Sequence, residues 1–450
     1  MSDRSRADAV YETLLARAGE RWVEPRKERT ARLLEFLADP QHTYRVVHVT
    51  GTNGKTSTSR IIESIVRAHG LRTGLFTSPH LERFTERVMI DGEPIADAAV
   101  ADAWDEIAPF VEIVDAELTA AGEEPLTFFE LLTALAFVAF ADAPVDVAII
   151  EVGMGGSWDS TNTADGDVAV FAPIDLDHAD RLGGTIAEIA KVKSGIIKDG
   201  AAVVSARQDA AAERVLRAAA EARGASIAFE GKDFDLAEDH LAVGGQFMAV
   251  RGLAGTYNDL YLPMYGEHQA HNATLAIAAV ESLLGGATKP IAGDVLTEGL
   301  AEATSPGRLQ LIGIAPTVIV DGAHNPHGAR ALAAALRDAF DFDEWGLVLG
   351  ALADKDVAGV VAELAPLAAH VFATAPQSDR ASDPDAIADL AEGLGRPVSV
   401  HPDVADAGNA AREWAAASDR RAVIIAGSVV LAGEALTVAS DEDWKSGWQA

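Results

Sequence analysis

The stretch at residues 46–60, VVHVTGTNGKTSTSR, restricts the possible fold more than any other part of the chain. A β-branched run, Val46, Val47 and Val49, ends in a turn bounded by Gly51 and Gly54. Lys55 and Thr56 then open a helical pattern with Ile61, Ile62, Ile65 and Val66 on one face. Strand, glycine loop and helix in that order form a phosphate cradle: the glycines admit backbone amides, the helix N-terminus adds partial positive charge and Lys55 adds a full one. Thr56 offers a hydroxyl to phosphate or to Mg²⁺. The pattern is G-x-x-G-K-T, shorter than G-x-x-x-x-G-K-[ST], and a glycine turn before an ordinary helix is its competing reading.

A chain of 450 residues with 49% hydrophobic content predicts two or three domains with buried cores. The richest apolar stretch, 128–150, is interrupted by Glu130, Asp142, Pro144 and Asp146, so no membrane span is expected. The opening MSDRSRADAV lacks the features of a secretory signal, which predicts a cytoplasmic protein. With no cysteine, thiolate zinc sites, iron–sulfur clusters, disulfides and a cysteine nucleophile are all excluded. A metal must then sit on oxygen or imidazole, which suits Mg²⁺. The net charge of −33 argues against a nucleic-acid face. An anionic substrate would need a local positive pocket in a negative field.

Along the chain, residues 1–43 read as helical, and strands are expected at 72–77, 88–90, 145–151, 168–171 and 201–205, with helices at 96–111 and after Thr127. Two strand ends carry chemistry. Glu151 closes an apolar strand before a glycine-rich turn, and residues 175–178, Asp-Leu-Asp-His, follow another. Ligands of parallel sheets gather at such carboxyl ends. Residues 229–263 read as a small antiparallel β appendage with turns at 244–245 and 257–259. The helix breakers at 303–307 divide the chain into 1–303 and 304–450, and strands alternating with helices beyond them predict a second, Rossmann-like sheet.

The strings HVTGTNGKTS, TSPHL, LTFFE, EVGMGG, DLDH, PGRLQ, DGAHNP and AGSVVLAGEA, in that order, resemble folylpolyglutamate synthase and dihydrofolate synthase of the Mur ligase superfamily. The resemblance runs from about residue 26 to residue 434. It implies an α/β protein with an N-terminal phosphate-loop ATPase domain and a C-terminal Rossmann-like domain. It also implies an ATP- and Mg²⁺-dependent ligase that activates a folate or dihydropteroate carboxylate as an acyl phosphate and joins L-glutamate to it. A monomer without nucleic-acid or membrane partners is expected.

Residue by residue, the resemblance implies that Gly51, Thr52, Asn53, Gly54, Lys55 and Thr56 hold the ATP phosphates. Asn272, Arg308 and Asp321 would complete the nucleotide site, and Ser78, Glu151 and His178 would hold Mg²⁺. Lys193 matches a position carboxylated on Nζ, which would make it a further metal ligand; an unmodified ammonium is the alternative. Thr127, Phe128, Phe129, Glu130, Trp158, Asp159 and Ser160 match the pterin end. Here residues 157–160 read Ser-Trp-Asp-Ser where many members read Arg-Leu-Asp-Ala. His324 and Ser428 are candidates for the incoming glutamate, or turn residues at strand ends. Taken singly, Ser78, His178 and Arg308 also have structural readings as turn, loop and linker residues. Two other functions stay open: a Mur-type ligase acting on a nucleotide-linked peptide, and a phosphate-loop nucleotide switch.

Overall fold

The computed structural model describes residues 2–18 and 26–445. Its first sheet has eight strands in the order Glu93–Pro94, Val88–Ile90, Thr73–Phe76, Val147–Glu151, Arg45–Thr50, Val168–Phe171, Ala202–Ser205 and Ser226–Phe229. The first two strands form an antiparallel edge, and the rest run parallel. In register, Val49 faces Glu151, so the strand that feeds the phosphate loop lies directly beside the one that ends on the carboxylate.

Helices cover both faces, as a parallel sheet with apolar strands requires. On one side, Ile61, Ile62, Ile65 and Val66 of the helix Lys55–Ala68 are fully buried with Leu275, Ile277 and Val280 of the helix Glu267–Gly285. Each such side chain contributes on the order of 1.5–3 kcal/mol of burial. On the other, the helices Asp3–Leu15, Lys27–Phe36, Asp97–Ala120 and Phe128–Asp142 share a core with Phe76 and Phe137. Two of these lie in the segment expected to be helical; residues 19–25 of it fall outside the described residues. The helix expected at 96–111 runs on to Ala120 through Pro109, because Val111 and Val114 continue its buried face.

The appendage is a three-stranded antiparallel sheet, Asp235–Ala242, Gly245–Arg251 and Thr256–Leu262. The turn expected at 257–259 lies instead inside its last strand, as a bulge with Asp259 at φ 55°. The chain reverses earlier, where Gly252 N bonds the Gly255 carbonyl at 2.7 Å. Buried Glu281 holds this turn: it accepts from Leu253 N, Ala254 N and the Tyr257 hydroxyl, so Tyr257 is locked into the strand.

The third sheet has six strands ordered Gln310–Ile314, Thr317–Val320, Arg421–Ala426, Glu344–Leu349, Ala368–Ala373 and Val398–Val400. Its first two strands form an antiparallel hairpin and the remaining pairings are parallel. This is the expected Rossmann-like alternation. The segments flanking the first and third sheets touch closely. A Cβ on Gly433 would stand 2.0 Å from the Leu81 carbonyl oxygen, and Ser57 Oγ lies 2.9 Å from Ser305 Oγ. Among the described residues no helix is long and apolar enough to cross a membrane.

Candidate active site

The carboxyl ends of both large sheets open into one cleft of about 1000 Å³. Of the site residues read from the sequence, all line it except Phe128. That ring is 3% exposed in the core beside Tyr11, with the Arg87 guanidinium 5.3 Å from its centroid. As the first residue of its helix Phe128 faces inward, and Phe129 takes the cleft side.

The loop at 51–54 is shaped by its glycines. A Cβ on Gly51 would stand 2.7 Å from Ala172 Cβ, and one on Gly54 2.5 Å from Asn272 Oδ1, with Gly54 at φ 84°. Only glycine fits both positions. Thr52 clamps the loop to the neighbouring strand end, its N donating to Pro173 O at 2.8 Å and its Oγ1 to Asp175 O at 2.9 Å. Lys55 Nζ folds back to the Thr52 carbonyl at 3.3 Å. Asn272 is buried and donates to Gln269 Oε1 at 3.0 Å.

Glu151 is 1% exposed. Thr56 Oγ1 lies 2.9 Å from each of its carboxylate oxygens, and Ser78 N donates to one at 3.4 Å. Burial pushes its carboxyl up, opposed by the charge of Lys55 and the Thr56 hydroxyl. Among the described residues no three His, Asp or Glu side chains gather into a metal cage. The donors present, one carboxylate and the hydroxyls of Thr56 and Ser78, are hard oxygens that fit Mg²⁺.

Lys193, at the end of the helix Ile186–Lys193, is 4% exposed and donates to the Gly51 carbonyl at 2.7 Å. Burial, followed by the Lys55 charge, pulls its ammonium down to about 7. His178 has φ 50° and is held from across the cleft: Lys355 Nζ donates to its Nε2 at 3.1 Å and to Asp177 Oδ1 at 3.1 Å. Burial, then the Lys355 charge, pulls His178 down to about 4.

On the C-terminal side, the Arg308 guanidinium lies against Gly322, where a Cβ would meet Nη1 at 2.6 Å. Asp321 accepts from Leu309 N at 2.9 Å and Ala323 N at 2.8 Å, so its carboxylate ties the residue after Arg308 to the turn at 321–323. His324 Nδ1 bonds the Gly322 carbonyl at 2.9 Å, which places the proton on Nδ1 and leaves Nε2 as the acceptor. Burial pulls this imidazole down to about 4, so it is neutral. Ser428 caps the helix Val429–Asp441, its Oγ accepting from Leu431 N at 2.9 Å.

At the far end of the cleft, Thr127 and Glu130 form a capping box for the helix Phe128–Asp142, and Glu130 pairs with Arg26 at 3.2 Å. Phe129 packs on Gly153 and Trp158 on Gly155, where a Cβ would approach the rings to 2.5 and 2.9 Å. Asp159 accepts from Met154 N at 2.9 Å and Thr161 N at 3.0 Å, and buried Ser160 follows it. Lys355, on the cleft wall, and Asn325, behind it, are among the residues to which the sequence assigned no role. Lys355 had a signal, since Asp354-Lys355-Asp356 follows an expected parallel strand at its carboxyl end.

The Mur ligase middle domain matches residues 49–280, and the Mur ligase glutamate ligase domain matches residues 307–429. The chain is 44% identical over 448 residues to the dihydrofolate synthase/folylpolyglutamate synthase of Mycobacterium tuberculosis, covering 93% of this chain and 92% of that one. It is 33% identical over 383 residues to the enzyme of that name from Escherichia coli, covering 85% and 84%. Among solved structures, the M. tuberculosis folylpolyglutamate synthase complexed with ADP superposes with a TM-score of 0.93 at 43% identity, over 97% of this chain and 99% of that one. The E. coli protein in complex with DHPP and ADP superposes with a TM-score of 0.83 at 30% identity, over 97% and 98%.

Proposed function

The chain belongs to the folylpolyglutamate synthase/dihydrofolate synthase branch of the Mur ligases, ATP-dependent enzymes that add glutamate, and we propose that it accepts both dihydropteroate and reduced folates through an acyl phosphate. One observation carries this reading: the phosphate loop and Glu151 of the first sheet share a single cleft with Arg308 and His324 of the third. A hydrolytic switch has no need of the second set.

In this reading residues 1–303 and 304–450 are the two domains, and Gly51 to Thr56 cradle the β- and γ-phosphates with Asn272 beside them. Ser78 and Glu151 hold Mg²⁺, which when bound neutralises phosphate charge. His178 would be a further ligand through Nε2, the atom on which Lys355 Nζ lies at 3.1 Å. Lys193 is buried, with an ammonium pulled down to about 7, so much of it is the neutral amine that takes up CO₂ as a carbamate. Thr127, Phe129, Glu130, Trp158, Asp159 and Ser160 shape the pterin end. The acceptor carboxylate attacks the γ-phosphorus, ADP leaves, and Lys55 and Arg308 stabilise the charge on the transferring group. Glutamate's amine then attacks the acyl carbon, phosphate leaves, and the neutral His324 takes the amine proton at Nε2.

Acceptor labelled with oxygen-18 in its carboxylate tests this route. An acyl phosphate delivers one labelled oxygen to the released phosphate for every amide formed. Phosphate released without label, or ATP turnover indifferent to glutamate, contradicts it.

A further inference from the structure

Asn53 of the phosphate loop and Asn325 of the C-terminal sheet exchange their side-chain amide hydrogen bonds. Asn325 Nδ2 donates to Asn53 Oδ1 at 3.1 Å, and Asn53 Nδ2 donates back to Asn325 Oδ1 at 3.4 Å. Asn53 Nδ2 also lies 2.9 Å from His327 Nδ1. Asn325 has two further bonds. Its Oδ1 caps the helix Pro326–Ala339 by accepting from Gly328 N at 2.8 Å, and its Nδ2 reaches Asp177 Oδ2 at 3.4 Å. One carboxamide, 4% exposed, thus joins the phosphate loop, the loop at 175–178 and the first helix after the interdomain segment.

The residue type is the informative part. For a cap alone, aspartate or serine serves as well as asparagine. Across the cleft only an amide fits, because it must accept on Oδ1 while donating twice from Nδ2. A carboxylate here would cap the helix but donate nothing, and it would set a second negative charge against Asp177.

Asn325 also follows His324 directly, three residues beyond Gly322, against which the Arg308 guanidinium lies. We infer that Asn325 is a positioning residue that, through Asn53, fixes Arg308 and His324 relative to the phosphate loop. The acyl phosphate made at the first sheet then meets the amine held at the third with water excluded. This inference rests on the ligase reading above.

The test compares wild type with Asn325→Asp and Asn325→Ser, both of which keep a capping oxygen. Amide formed, phosphate released, ADP affinity and thermal midpoint are measured in each. We expect the midpoint to move by no more than about 4 °C and ADP affinity to stay within about threefold. Amide formation should fall by about 10- to 100-fold, the usual result of misplacing reacting groups by roughly 1 Å. Phosphate released per amide should rise above the value of one that the balanced reaction requires, as water takes the acyl phosphate. An unchanged phosphate-to-amide ratio in both variants overturns the inference, whether or not the midpoint falls, since it leaves Asn325 only its cap. A wild-type enzyme that forms no amide at all overturns the ligase reading and this inference with it.

Discussion

Lys193 Nζ donates a 2.7 Å hydrogen bond to the carbonyl of Gly51, so the helix Ile186–Lys193 is tied to the first residue of the phosphate loop. A lysine buried to 4% exposure and this close to the Lys55 charge is an unusual choice for a structural bond. The placement suits a group whose amine is wanted neutral, and the reactive form proposed for it is the carbamate.

Lys193→Ala should lower amide formation by at least about 100-fold, the scale on which a preorganised charge at the reacting phosphate acts. If the carbamate is the working form, short carboxylic acids added to this variant restore part of the rate, as followed by glutamate-dependent ADP release. Wild-type activity in the variant would remove Lys193 from the mechanism.

The same lysine predicts a pH dependence of stability. The unfolded chain holds this proton up to the ordinary 10.5, whereas the native protein releases it near 7. Between those values the unfolded state binds more protons, so stability should rise with pH from about 7 and be flat below. Urea unfolding in CO₂-free buffer, wild type against Lys193→Met, isolates this contribution. Wild-type stability relative to the variant should rise as pH climbs from about 7 toward about 10. A relative stability that falls with pH contradicts the assignment.

Gly54→Ala should weaken nucleotide binding while leaving the fold in place. The new Cβ meets Asn272 Oδ1 at 2.5 Å, and φ 84° strains any residue but glycine. Calorimetric titration with ADP is expected to show at least about a tenfold loss, equivalent to about 1.4 kcal/mol. Unaltered affinity would mean that this loop does not carry the phosphates.

Ser428→Ala should cost about 1 kcal/mol of stability through loss of the helix cap. The KM for glutamate should stay within about threefold, because Ser428 is 1% exposed and its Oγ accepts from Leu431 N at the helix start. A KM rise of an order of magnitude at unchanged stability would instead place Ser428 on the substrate.

Much of this architecture was legible in the sequence because it is local. The phosphate loop, the apolar strand ending on Glu151 and the alternation beyond residue 307 each announce themselves within a dozen residues. What local pattern could not supply was partnership. The bonds from Lys355 to Asp177 and His178, and between Asn53 and Asn325, join residues 178, 177 and 272 positions apart, and they exist only because two sheets dock. The segment LTFFE reads as a substrate motif, yet Thr127 and Glu130 are engaged in a capping box, and Phe128 and Phe129 point to opposite sides. The turn signal at Asn258-Asp259 was overridden by a tertiary contact, the Tyr257 hydroxyl on buried Glu281.

The most direct measurement is product mass after incubation with ATP, Mg²⁺ and L-glutamate, with dihydropteroate in one sample and a reduced monoglutamyl folate in the other. A mass increase of one glutamyl residue or more is expected in both, with one phosphate released per amide. ATP hydrolysis with no added mass in either sample would contradict it and return a nucleotide-linked acceptor, or a hydrolytic switch, to first place.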